Sequence, residues 1–156
     1  ARENLKIFGG LNGLSGSKLN SRVDELLTLF DLTQSRDTII GHFSGGMKRR
    51  INLIAGMLHS PRILILDEPT VGVDAQSRKL ILDKLLEINR SGTTILFISH
   101  YLEEAEEICS EVAFMDRGTI LCQGNPSRLK AGYSECPNLE SLYLTLTGKK
   151  MRDHHE

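Results

Sequence analysis

Long apolar runs are missing from this sequence of 156 residues. A membrane-spanning helix needs roughly 20 consecutive apolar residues, whereas runs such as 63–66 and 95–98 only have the length of a strand. Neither sign of charge dominates, since the sequence contains 19 Lys and Arg residues and 20 Asp and Glu residues. The sequence therefore excludes a membrane span within these residues. It also excludes a nucleic-acid-binding protein that relies on bulk positive charge.

Cysteine is also scarce, and its three copies, Cys109, Cys122 and Cys136, are widely spaced. No C-x-x-C pair occurs, so neither a zinc cage nor a framework of disulfides is predicted. We expect three free thiols. With 40% hydrophobic and 25% charged residues, the composition is that of a globular domain and excludes wholesale disorder.

The order of the predicted elements indicates an α/β fold. A helix is expected over 45–58, because Ser44 suits an N-cap and apolar residues follow at helical spacing. Residues 63–66 are apolar without alternation, which is typical of a strand buried on both faces of a parallel sheet. A helix over 75–90 and a second such strand over 94–98 complete a βαβ unit.

Polar side chains follow both predicted strands. Asp67 and Glu68 end the first strand, and Ser99 and His100 follow the second. Because α/β folds bind ligands at the carboxyl ends of their strands, we expect these side chains at one ligand site. The alternative is a pair of solvated carboxylates and a histidine that is satisfied by local hydrogen bonds.

The start of the helix behind Ser44 suits a phosphate. Gly45 and Gly46 leave backbone N–H groups accessible where the helix dipole adds partial positive charge. The basic run at 48–50 opposes that dipole, which an anion nearby would explain. The alternative is an ordinary capped helix with a solvated basic face.

In this order and spacing, the motifs resemble the ATP-binding domain of ABC transporters, in the branch that exports drugs, lipids and polysaccharides. Residues 43–47 are similar to the family's signature motif, and 63–68 to its Walker B strand with the catalytic glutamate. Residues 71–74 resemble the D-loop, and His100 the switch histidine. The resemblance extends over essentially the whole chain. The implied fold is α/β, with a P-loop NTPase-like parallel sheet, flanking helices and a helical subdomain.

The resemblance implies one metal ligand and two catalytic residues. Asp67 would hold Mg²⁺, largely through water. Glu68 would act as general base on the attacking water. His100 would hold the γ-phosphate and stabilise the charge that develops during transfer.

It also implies five nucleotide-binding residues, namely Ser44, Gly45, Gly46, Met47 and Asp74. Ser44 and Gly46 would contact the γ-phosphate of an ATP bound to a partner subunit, and Asp74 would lie at the interface. Met47 stands where the family usually has glutamine, a variant that occurs in the exporter branch.

The implied ligands are ATP and Mg²⁺. The implied partners are a second ABC ATP-binding subunit, identical or different, and an integral membrane permease, with no nucleic acid. Through the permease, the protein would lie at the cytoplasmic face of the cell membrane.

Two motifs of the family are absent: no G-x-x-x-x-G-K-[ST] occurs in the chain, and the family's Q-loop is missing as well. The chain is therefore expected to be the C-terminal part of such a domain, with the N-terminal part missing, and unable to hydrolyse ATP alone. It would comprise a helical subdomain with the signature helix (1–58), a parallel-sheet core (59–125) and a helical tail (126–156). The alternative is a naturally P-loop-less regulatory module that binds a complete ABC ATPase through its signature face.

Overall fold

The fold combines seven α-helices and four strands within residues 1–133 and 135–148, the part of the chain that the computed structural model describes. In chain order these are α1 (Arg2–Leu11), α2 (Gly16–Leu29), α3 (Gly45–Met57), β1 (Ile63–Asp67), α4 (Ala75–Arg90), β2 (Thr94–Ile98), α5 (Leu102–Ile108), β3 (Val112–Asp116), β4 (Thr119–Gly124), α6 (Pro126–Gly132) and α7 (Leu139–Thr147). Residues 134 and 149–156 of the predicted tail lie outside the described residues. Among the helices described, none combines the length and the apolar character needed to cross a membrane.

The chain divides into two compact units, residues 1–98 and 99–156. The first unit contains α1–α4, β1 and β2, and the second contains α5–α7, β3 and β4. Each unit has its own hydrophobic cluster. The three-part organisation that the motifs indicate stays a prediction.

The strands of the first unit are parallel neighbours. Their register pairs Ile63 with Thr94 at one end and Asp67 with Ile98 at the other. Helix α4 connects them, which confirms the predicted βαβ unit. Both strands end side by side, so the residues that follow β1 leave the sheet at its carboxyl edge.

This two-stranded sheet has one covered face and one exposed face. The side chains directed towards the hydrophobic cluster of the first unit are Leu64, Leu66, Ile95 and Phe97. The side chains on the other face are 46–65% exposed, and they are Ile63, Ile65, Leu96 and Ile98. The prediction that both strands are buried on both faces is wrong, because the helices of the first unit pack on only one side of the sheet.

Helices α2 and α3 together supply about half of the buried residues in the cluster of the first unit. In α2, Val23, Leu26 and Leu27 are almost fully buried, and they recur at the spacing of one helix face. In α3, Ile54 is 0% exposed and Met57 is 2% exposed. Burial of this apolar stripe fixes which face of α3 remains available for polar contacts.

The second unit is built on a hairpin. Strands β3 and β4 are antiparallel neighbours joined by a short turn. Arg117 and Gly118 occupy its turn with φ values of 48° and 78°, and tight two-residue hairpin turns require such positive values. Phe114 of β3 meets Tyr143 of α7 edge to face, with ring centroids 5.6 Å apart.

One carboxylate links the three helices of the second unit. Glu106 of α5 accepts hydrogen bonds from Lys130 of α6 and from the backbone N–H of Leu139 at the start of α7. The hydrogen bond from Lys130, more than that from Leu139, lowers the pKa of Glu106 below its usual value. Glu106 therefore stays charged, and it holds the helices around the hairpin.

The three cysteines are free thiols, as predicted. Burial raises the pKa of Cys109 and of Cys122. Cys136 is buried, with its Sγ 3.6 Å from Oγ1 of Thr145. At Cys109 and Cys122, burial thus favours the thiol form over the reactive thiolate.

We predict that Ile54→Ala destabilises the protein by about 2–5 kcal/mol, because it leaves a cavity in the cluster of the first unit. Urea unfolding measures the change in the free energy of unfolding. The matched control is Ile39→Ala, at a side chain that is 70% exposed, where a change within about 0.5 kcal/mol is expected. Equal losses in the free energy of unfolding for the two variants would contradict the burial of Ile54 in this cluster.

Candidate functional site

The acid pair at the end of β1 lies in an unusual backbone turn. Asp67 is the last residue of the strand, and its side chain is exposed. Glu68 has a φ of 49°, which lies in the left-handed region and costs a non-glycine residue of the order of 1–2 kcal/mol. Its backbone N–H donates to the carbonyl of Ile98 at 2.9 Å. Strained residues persist where their surroundings hold them, and functional sites are where they cluster.

An arginine on α3 holds the carbonyls of this turn. Arg49 donates from Nε to the carbonyl of Pro69 at 2.7 Å, and from Nη2 to the carbonyl of Asp67 at 3.0 Å. The same Nη2 also donates to the carbonyl of Glu68. Three consecutive carbonyls thus accept hydrogen bonds from one guanidinium group.

The start of α3 is capped as predicted. The side chain of Ser44 accepts a hydrogen bond from the backbone N–H of Met47 at 3.2 Å. Ser44 and Gly45 are exposed, Gly46 is buried and Met47 is half-buried against the hydrophobic cluster. An anion could therefore reach the hydroxyl of Ser44 and the first turn of the helix.

Two glycines let this helix start approach the residues that follow β1. A Cβ atom on Gly46 would lie 2.3 Å from Oγ of Ser77, in the first turn of α4. A Cβ atom on Gly45 would lie 3.4 Å from the carbonyl oxygen of Gly72. Glycine at position 46 is thus required by space, because α3 and α4 meet there backbone to side chain.

Asp74 caps the second of these helices. Its side chain accepts a hydrogen bond from the backbone N–H of Ser77 at 2.9 Å. That bond, followed by one from the Ser77 hydroxyl, lowers the pKa of the Asp74 carboxyl. Asp74 therefore carries a negative charge at the start of α4, where the helix dipole favours it.

His100 belongs to the second unit. It is exposed, and its ring centroid lies 4.1 Å from that of Tyr101, with the planes tilted by 40°. The structure thus brings Ser44–Met47, Asp67, Glu68 and Asp74 into the first unit. A contact between His100 and these residues stays a prediction.

The residues at the end of β1 are compatible with the way proteins hold Mg²⁺ beside a nucleotide. Within residues 1–133 and 135–148, no group of three or more His, Cys, Asp and Glu side chains forms a metal cage. Asp67 instead offers a single exposed carboxylate. Mg²⁺ commonly binds one or two carboxylates together with water and substrate phosphates.

Comparison with known proteins connects these features with one family. A family model described as ABC transporter matches residues 1–71. The linearmycin resistance ATP-binding protein LnrL of Bacillus subtilis (strain 168) is 42% identical over 129 residues, covering 83% of this chain and 42% of that protein. The daunorubicin resistance ATP-binding protein DrrA2 of Streptomyces coeruleorubidus is 41% identical, covering 83% and 40%. The predicted resemblance to the ATP-binding domain of ABC transporters is confirmed.

A solved structure of an ATP-binding subunit of an ABC transporter has the same fold. It superposes with a TM-score of 0.79 at 28% identity, covering 94% of this chain and 61% of that chain. The predicted fold class is thus confirmed. The present chain spans about 40–42% of the length of the two resistance proteins.

Sequence reasoning missed how the basic run of α3 is used. An anion was expected beside it, but Arg49 and Arg50 donate to backbone carbonyls. Ser77 was missed as well, although a serine in the first turn of a helix behind an aspartate is a recognisable capping signal. No sequence pattern marks the carbonyls that Arg49 contacts.

We predict that Gly46→Ala destabilises the protein by about 1–3 kcal/mol, because the new methyl group overlaps Ser77. A double-mutant cycle with Ser77→Gly, measured by urea unfolding, should show a smaller loss in the double variant than the sum of the two single losses. Gly10→Ala is the control, since nothing lies within 4 Å of a Cβ atom there. That control should be neutral or stabilising, and strict additivity in the cycle would disprove the overlap.

We also predict that Asp74→Asn changes the acid dependence of stability. A lowered pKa means that the carboxylate stabilises the fold above the ordinary aspartate pKa of about 4, and that this contribution is lost as the pH falls through the lowered value. Asparagine caps helices about as well, so the midpoint of thermal unfolding should differ little at pH 7. As the pH falls below the ordinary aspartate pKa of about 4, the midpoint of the variant should therefore fall less steeply than that of the unsubstituted protein. If the unfolding midpoints of the two proteins fell in parallel with decreasing pH, the lowered pKa of Asp74 would be contradicted.

Proposed function

We propose that this chain carries part of the nucleotide site of an ABC exporter's ATP-binding subunit, and that the full-length protein hydrolyses MgATP. The observation that carries the proposal is the arrangement within the first unit. There the start of α3, the acid pair behind β1 and the cap of α4 are joined by direct contacts. The two relatives, which are named for resistance to linearmycin and to daunorubicin, support export as the class of transport.

In this proposal Glu68 is the general base. A base must keep its carboxylate aimed at the water whose proton it accepts. Two hydrogen bonds hold the turn at Glu68. Its backbone N–H donates to the carbonyl of Ile98, and its own carbonyl accepts from Arg49. These hydrogen bonds fix the backbone from which the Glu68 side chain extends. A fixed backbone supports the role of general base, because a base must be aimed at its water.

Asp67 would bind the Mg²⁺ of the substrate through water, and His100 would contact the γ-phosphate. The metal would neutralise phosphate charge during transfer. The single exposed carboxylate of Asp67 supports this role, because it leaves room for water and phosphate oxygens. The exposure of His100 likewise leaves its ring accessible to a ligand.

The start of α3 would bind the γ-phosphate of an ATP held by a second ABC subunit. The Ser44 hydroxyl accepts from Met47, and its own proton remains available to a phosphate oxygen. Gly45 and Gly46 would offer backbone N–H groups there, with Met47 closing the first turn. Asp74, beside Gly46, would lie at the interface between subunits.

The remaining parts of the proposal concern the whole protein. A membrane permease would bind the assembled subunits and place them at the cytoplasmic face of the membrane. The chain of 156 residues would not hydrolyse ATP by itself, since it contains no phosphate-binding G-x-x-x-x-G-K-[ST] loop.

The test is Glu68→Gln in the full-length protein that carries this sequence. Loss of a general base should lower kcat for MgATP by at least about 100-fold. Binding of ATP, measured with a fluorescent analogue, should remain within about threefold, since Gln keeps the size and polarity of Glu.

Glu87→Gln is the matched control, because Glu87 lies on α4 with 59% of its side chain exposed and pairs only with Lys84 among the described ion pairs. It should leave turnover unchanged. Undiminished turnover in Glu68→Gln would refute the proposed function.

A further inference from the structure

The contacts of Arg49 reach beyond the packing of α3. Its Nη2 donates to the carbonyls of Asp67 and of Glu68, and these two carbonyls belong to the peptide planes on either side of the Glu68 Cα atom. The orientation of those two planes defines φ and ψ at Glu68. Those angles in turn set the direction in which the Glu68 side chain leaves the backbone.

We propose that Arg49 is a positioning residue for Glu68, which it holds in the left-handed conformation from which the carboxylate can act. The inference rests on the proposed role of Glu68 as general base. Arg49 touches no reacting atom in this scheme, and it acts only through the backbone of Glu68. Its contribution should therefore appear in turnover and not in the binding of nucleotide.

Glu68 needs such a hold for two reasons. Its φ of 49° is unfavourable for a residue with a side chain. In addition, Pro69 follows it, and residues before proline prefer extended geometry. The two preferences together would pull the turn towards another conformation, so the guanidinium contacts oppose a relaxation that would redirect the carboxylate.

The chemistry of the contact requires arginine. A guanidinium group is planar and presents donors in a fixed fork, so Nε and Nη2 can serve Pro69, Asp67 and Glu68 at once. A lysine ammonium is a single point of donation with a flexible stem. It retains the positive charge but cannot reproduce this geometry.

The neighbouring residue offers an internal comparison. Arg50 also donates to carbonyls, but its Nε donates to Gly46 within α3 at 3.4 Å, and its Nη1 donates to Phe30 at 2.9 Å and to Asp31 at 3.4 Å, at the end of α2. The two arginines share a helix, a charge and a type of acceptor, and differ in the segment they hold. An effect specific to Arg49 must therefore come from the turn at Glu68.

The experiment compares Arg49→Lys with Arg50→Lys in the full-length protein, well below the melting temperature of each variant. Arg49→Lys should lower kcat for MgATP by about 10- to 100-fold, the range that small misplacements of reacting groups produce. Its KM should stay within about twofold, because ground-state binding is not involved. Arg50→Lys should leave both constants within about twofold of the unsubstituted protein.

Hydrogen exchange of backbone amides provides a readout that does not depend on activity. The N–H of Glu68 donates to Ile98, and the N–H of Val71 donates to the carbonyl of Glu68 at 3.3 Å. Both should exchange faster in Arg49→Lys and at the normal rate in Arg50→Lys. If Arg49→Lys fails to fold, Arg49→Gln takes its place, since its amide can still donate to one carbonyl.

Three results would overturn the proposal. A raised KM with unchanged kcat would mean that Arg49 binds the nucleotide. Equal losses in the two lysine variants would indicate a general effect on α3. Unchanged exchange at Glu68 and Val71 would show that Arg49 does not hold the turn. The variant Glu68→Gln separates failure of this proposal from failure of the proposed function. Full activity of Glu68→Gln would refute Glu68 as general base, and the hydrogen-exchange result for Arg49→Lys would still stand.

Discussion

Three consecutive carbonyls at the end of β1 accept hydrogen bonds from one guanidinium group, and the candidate site depends on this contact. Arg49 can reach them only because α3 is oriented by its buried stripe, in which Ile54 is fully inaccessible. The approach of α3 to α4 is in turn limited by the absence of a side chain at Gly46. Apolar burial supplies the energy of this arrangement, and the polar contacts supply its direction.

The same contact explains the charges at the start of α3. Cations in the first turns of a helix oppose its dipole and should be unfavourable there. Carbonyl oxygens carry partial negative charge, and those of Asp67, Glu68 and Pro69 surround the Arg49 guanidinium, while those of Phe30 and Asp31 meet Arg50. The partial negative charge of these carbonyls thus compensates the two guanidinium groups, which is the role that the sequence assigns to an anion. The exposed surface near Ser44 remains available to a ligand.

Features encoded within a few residues of each other could be predicted from the sequence. The cap at Ser44, the helical spacing in α2 and the turn at Arg117 and Gly118 are of this kind. The one-sided burial of β1 could not be predicted, because an apolar run does not reveal how many neighbours cover it. The contacts of Arg49 could not be predicted either, since its acceptors lie 18–20 residues away and backbone carbonyls leave no mark in a sequence.

Helix α3 therefore connects two chemical tasks that sequence motifs treat separately. Its N-cap Ser44 and its first residue Gly45 are exposed and suited to a phosphate oxygen. One turn later, Arg49 faces the backbone that carries Glu68. Under the proposed function, a substitution near the start of this helix would weaken nucleotide binding, misdirect the Glu68 carboxylate, or do both. The two effects separate only when KM and kcat are read apart, because the first acts in the ground state and the second in the transition state.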